Sequence, residues 1–129
     1  MSTLSPAMFQ TLEAAAVECG IEFLAACERG GVDRRLAVES LSNAFGRIAG
    51  SKTQQLLDRD SEPRFTLNAL LKDLFLARDA AQLVQTTMPI LECVLPRIQA
   101  AASSGLGERD YIAIALQPHS ETGAQRVPA

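Results

Sequence analysis

From Phe9 onward, Phe9, Leu12, Ala16, Cys19, Phe23 and Ala26 recur at alternating steps of three and four residues, the repeat of an apolar stripe along an α-helix. The pattern predicts a first helix over 7–29. Gly30-Gly31 closes it, because glycine accepts the left-handed conformation common just past a helix C-terminus, and Asp33 stands where it can cap the next helix. A second helix then turns Ala37, Leu41, Phe45 and Ile48 inward and stops at Gly50-Ser51.

The polar, charge-rich stretch 52–63 carries a short helix around 53–57 and then an irregular connection, since Pro63 disfavours helix at Glu62. Thr66 or Asn68 starts a long central helix reaching about Thr86, and Met88-Pro89 marks a break because proline suits a first helical turn and not an interior. Ile90, Leu91, Val94, Leu95, Ile98, Ala101 and Ala102 give the cleanest amphipathic signal, ended by Ser103-Ser104-Gly105. Asp110 can cap a short last helix over 111–116. Alternating β-branched runs between tight turns are absent, so the chain reads as an all-α bundle of about five helices. Residues 1–116 are expected to form one domain, and 117–129, with two prolines and no periodicity, a flexible tail.

Composition agrees with that size. A chain of 129 residues with 47% hydrophobic content holds one compact domain that buries roughly two thirds of its unfolded surface. A net charge of -3 offers no cationic field for a phosphate backbone, which argues against nucleic acid. No apolar run approaches the ~20 residues of a membrane span, and no secretory leader is recognisable, so a cytoplasmic setting is expected. Cys19, Cys27 and Cys93 form no CxxC pair and sit in apolar helical patterns, which reads as buried thiols.

Candidate chemistry is sparse. On the central helix, Asn68, Lys72 and Asp79 fall on one side while Leu67, Leu70, Leu71 and Leu74 point into a core. Asp73 and Asp79 have no histidine or second carboxylate positioned to tune them, and read as surface or ion-pair residues. His119 stands alone in the expected tail, no clustered Cys/His or Glu-x-x-His suggests a metal, and no G-x-S-x-G elbow suggests a nucleophilic serine.

Phe65-Thr66-Leu67, Lys72-Asp73-Leu74, Leu76-Ala77 and Asp79, followed by Gly105, Gly107 and Asp110-Tyr111, resemble the C-terminal helical domain of the β-hydroxyacid dehydrogenases, the 3-hydroxyisobutyrate dehydrogenase family related to 6-phosphogluconate dehydrogenase. Ala16-Val17-Glu18 resembles the small-small-Glu segment of that family's interdomain helix, and Gly31-Val32-Asp33 the turn after it. The resemblance implies that Lys72 reaches toward the nicotinamide-ribose end of NAD or NADP and that Phe65 lines the same crevice. Glu18 resembles a helix-packing position. Phe75 stands where the family usually has glycine.

The family's nucleotide cradle is a Rossmann domain, and no G-x-G-x-x-G turn after a strand occurs here. Its catalytic lysine and asparagine would fall near Ser2 and Pro6, which supply neither an ammonium nor a carboxamide. The resemblance therefore implies the cofactor-closing and oligomerisation domain of a 3-hydroxy acid dehydrogenase, with no catalytic residue of its own and inactive in isolation. It is then either a remnant of such an enzyme or a chain completed by a separate dinucleotide-binding chain. The alternative is a non-catalytic helical homodimer serving interaction or small-ligand binding. Self-association is expected under both.

Overall fold

The computed structural model describes residues 6–116, with the Phe9 side chain excepted; the expected tail, His119 and Ser2 lie outside them. Five α-helices are present among the described residues: α1 (Pro6–Arg29), α2 (Arg34–Arg47), α3 (Thr53–Leu57), α4 (Leu67–Leu83) and α5 (Pro89–Ala101). A π-helical segment, Ile48–Lys52, joins α2 to α3; a turn over Ala102–Leu106 follows α5 and reverses at Gly105; a 3-10 turn covers Tyr111–Leu116. No strand occurs among them, only one isolated antiparallel bridge between Thr66 and Asp110.

Local chemistry sets the boundaries. At the end of α1 the N–H of Gly31 bonds the Glu28 carbonyl and that of Val32 bonds the Cys27 carbonyl, with Gly31 at φ +80°. This double reversal satisfies two otherwise orphaned carbonyls, and glycine permits it without a Cβ clash. Asp33 then caps α2 through its carboxylate and the Leu36 N–H, as expected from its position.

Gly50-Ser51 does not stop the second helix. The backbone widens into a π turn and runs on into α3, because the Ser51 hydroxyl donates to the Arg47 carbonyl and the Thr53 hydroxyl to that of Ile48, occupying the carbonyls that the wider turn frees. Phe45 and Ile48, expected inward, are 40% and 52% exposed. The helix crosses α1 near its middle, at the Gly20–Leu41 contact, and turns that end of its stripe to the surface. The central helix ends at Leu83, short of Thr86, in a second reversal: Gln85 lies at φ +53°, its N–H on Gln82 and the Thr86 N–H on Ala81.

The core lies between α4 and α5. Leu67 is fully enclosed, with Ala81, Leu91, Leu95, Ile98, Ile112 and Ala113 also buried. The 3-10 turn docks as its apolar content predicts. Two side chains of α1 fasten it to that pair. Glu22 accepts the Ile90 and Leu91 N–H groups at 2.6 and 3.0 Å, capping α5 where Met88 offers no side-chain cap. Arg29 donates to the carbonyls of Val84 and Gln85 at the end of α4. Negative charge at a helix start and positive charge at a helix end both follow the macrodipole.

The first half of α1 has no such cover. Leu12 is 67% exposed and Val17 59%, so large apolar side chains of this half lie in solvent. Cys19 and Cys93 are exposed and Cys27 half-buried, against the expectation of three buried thiols.

Candidate functional site

Phe65 directly precedes the cap of α4 and Lys72 lies in its second turn; the chain at Phe65 is held by one carboxylate. Asp110 is fully buried. It accepts the backbone N–H groups of Arg64 at 3.0 Å, Phe65 at 2.9 Å and Ile112 at 3.1 Å, and the Lys52 ammonium at 3.1 Å on each oxygen. Lys52 also donates to the Gln55 carboxamide at 2.7 Å, and Gln55, itself buried, passes a bond on to the Asp60 carbonyl.

Burial alone would push the Asp110 carboxyl upward. The N–H groups of Phe65, Arg64 and Ile112 and the Lys52 ammonium outweigh it and lower the carboxyl to about 2. The same neighbourhood pushes the Tyr111 phenol up, first by burial and then by the adjacent Asp110 charge. On the surface nearby, the Glu62 backbone N–H and then Arg64 hold Asp60 below the ordinary carboxylate value.

Around this anchor the aromatic side chains are stacked. The Phe65 ring meets Tyr111 edge to face, centroids 6.3 Å apart at 84°, and the Lys52 ammonium stands 4.6 Å over the Tyr111 ring. Phe65 is half-buried as a result. One backbone ladder closes the joint: Tyr111 N–H to Phe65, Leu67 N–H to Arg109 and Asn68 N–H to Gly107.

The glycines singled out in the sequence have a physical reason here. Gly105 takes φ +100°, and a Cβ on Gly107 would lie 2.6 Å from the Asn68 carboxamide. That carboxamide donates to Glu108 at 2.7 Å.

Lys72 lies one turn beyond Asn68, exposed, with no hydrogen bond or ion pair among the described residues. Asn68 and Asp79 are exposed on the same helix, while Leu70, Leu71 and Leu74 are half-buried, as the periodicity predicts. Phe75 is half-buried, with the Arg78 guanidinium 4.9 Å from its ring centroid.

Helix starts bind anions through free N–H groups, and those of α4 and α5 are already occupied. Leu67, Asn68 and Ala69 donate to Arg109, Gly107 and the Thr66 hydroxyl; Ile90 and Leu91 donate to Glu22. A depression of about 180 Å³ lies between Ala81, Gln82, Thr86, Met88 and Leu91, and another of about 270 Å³ beside Gly105, Leu106 and Arg109. Neither includes Phe65 or Lys72. No group of three metal-ligating side chains occurs among the described residues. No helix among them is long and apolar enough to cross a membrane.

Sequence reasoning reached Lys72, Phe65 and the Gly-Gly-Asp segment, but took Asp110 only as a cap and left Lys52, Gln55, Glu22 and Arg29 unremarked. Asp110 does cap the last turn through Ile112. No local signal marks the others, since each bonds across 55 or more residues except Gln55, whose signal is only its burial.

Comparison with known proteins adds the following. The family described as NAD-binding of NADP-dependent 3-hydroxyisobutyrate dehydrogenase matches residues 6–117. An L-threonate dehydrogenase of Pectobacterium atrosepticum is 23% identical over 107 residues, covering 81% of this chain and 35% of that protein. A crystal structure from Pseudomonas putida KT2440, of a protein with only a provisional oxidoreductase name, superposes with a TM-score of 0.74 at 18% identity. It covers 92% of this chain and 40% of its own. The chain thus spans about a third of the curated relative's length.

Proposed function

The chain belongs to the family of the NAD-binding helical domain of NADP-dependent 3-hydroxyisobutyrate dehydrogenase, and on that premise we propose that its α4 start forms one wall of a dinucleotide crevice. The wall is the Phe65 ring and the Lys72 ammonium, facing the nicotinamide-ribose end of NAD or NADP. When bound, the dinucleotide supplies the hydride acceptor or donor for a short hydroxy acid.

The exposed Lys72 of α4 carries this reading, with the anchored Phe65 just ahead of the same helix. An ammonium with no hydrogen bond or ion pair among the described residues can donate to ribose or carboxamide oxygens, and a half-buried ring offers a flat apolar surface that excludes water from one side of the nicotinamide. A buried carboxylate fixes the backbone at Phe65, so little order has to be created there on binding. The pyrophosphate needs another cradle, because the starts of α4 and α5 have spent their N–H groups internally. A Rossmann-type partner would provide that cradle and the reacting amine, and turnover would belong to the completed assembly.

Titration of the purified protein with NADPH and NADH, alone and with a Rossmann-bearing chain of the same family, tests the proposal. Lys72→Ala should weaken binding about tenfold, the loss of one charge-assisted hydrogen bond, with an unchanged melting temperature. Equal affinity in Lys72→Ala and wild type would refute the contact.

A second reading, a helical homodimer without catalysis, draws on α1. Leu12 lies on one side of that helix and Val17 and Ile21 on the other, all more than half exposed. Large apolar side chains exposed on two sides of a helix make a surface for a partner. Both a second copy and a partner domain satisfy that demand.

A further inference from the structure

A π turn and a glycine reversal lead into one buried ion pair. The π turn Ile48–Lys52 ends on Lys52 itself, and Gly105, at φ +100°, turns the chain five residues before Asp110. Lys52 and Asp110 meet at 3.1 Å, with side-chain exposures of 16% and 0%. The carboxylate is shared between Lys52 and the N–H groups of Arg64 and Phe65. The ammonium in turn touches Gln55 and the face of Tyr111, on which the Phe65 ring rests.

We infer that Lys52 and Asp110 are positioning residues: their pair fixes the backbone at Arg64 and Phe65 and, through Tyr111, the Phe65 ring, setting the wall that α4 presents to a ligand. Three of the four donors to Asp110 belong to residues 64, 65 and 52, and the fourth starts the turn bearing Tyr111's neighbours. Neither side chain contacts α1, α2 or α5 by a hydrogen bond, so the pair acts on one corner and leaves the main helical packing alone. Its consequence for ligand binding rests on the dinucleotide reading above; the positioning itself does not.

Amide hydrogen exchange resolved by residue, together with the ring contact between Phe65 and Tyr111 seen by NMR, tests this on the unliganded protein. Lys52→Met keeps the aliphatic stem and removes the charge, and Asp110→Asn keeps the shape. Each should speed exchange at the Arg64 and Phe65 amides about tenfold and weaken the ring contact, while the amides of α1 and α5 keep their protection. Lys52→Arg should restore both. Unchanged exchange at those two amides in Lys52→Met would overturn the inference, and so would protection lost equally across α1 and α5, or a Lys52→Arg no better than Lys52→Met. NADPH titration of the same samples separates the two claims: a wild type whose Lys72 and Phe65 signals ignore the nucleotide counts against the dinucleotide reading alone.

Discussion

Asp110 takes one ammonium and three backbone N–H groups into a place that solvent does not reach, and the balance of those effects has a sign that pH can read. Its folded value of about 2 lies below the ordinary 3.8, so the folded state holds the charged form more tightly than the unfolded chain does. The resulting stability is fully present above about pH 4 and is lost as pH falls toward 2. Unfolding by urea should show wild type losing about 2 kcal/mol more than Asp110→Asn over that interval. Parallel acid limbs would remove Asp110 from this role. At this scale the sequence was partly readable. The exposure of Lys72 follows from helical period, but the pair Lys52–Asp110 does not, because 58 residues separate two singly placed charges that look like ordinary solvated ones.

Helix ends show where element-scale reading succeeds and where it fails. Gly31 and Asp33 announced a stop and a start, and both are used as the chemistry suggests. Two further left-handed ends fall on Arg59 and Gln85, at φ +51° and +53°, each with the same pair of reversing hydrogen bonds. Neither is glycine, so no signal marked them. Both carry the strain of a side chain in that region. Replacing Gln85 by glycine should raise stability by about 0.5–1 kcal/mol, net of the added freedom of the unfolded chain, whereas Gly31→Ala should lower it by about 1 kcal/mol. Thermal and chemical denaturation will show both, and a destabilised Gln85→Gly would mean that its side chain does something the backbone geometry does not reveal. Gly50 taught the opposite lesson. A glycine with negative φ is compatible with helix, and the hydroxyls of Ser51 and Thr53 made continuation cheaper than a stop.

For the whole molecule, the all-α bundle was legible because amphipathic period dictates it, but the sequence could not say which half of α1 would be covered. A stripe shows that a face is apolar and not what meets it. In the folded chain, Glu22 and Arg29 fasten α1 to the α4–α5 pair, and Leu12, Val17 and Ile21 stay in solvent. Burying them against a second copy or another domain is the expected outcome in solution. Sedimentation should report association of the wild type that weakens at least tenfold in Leu12→Glu with Ile21→Glu, with helical content and melting temperature little changed, since those residues carry little of the intramolecular core. A monomeric wild type would leave the partner domain as their cover.

The two fastenings of α1 hold the peptide chain and ignore what hangs from it. Glu22 grips amides at 90 and 91, and Arg29 grips carbonyls at 84 and 85; every amino acid except proline offers the former and every one offers the latter. Substitution at the receiving positions can therefore proceed almost freely, provided helix ends remain there. A joint of this kind keeps its angle while the residues on the far side drift, so a shared architecture can outlast the resemblance of the letters that spell it.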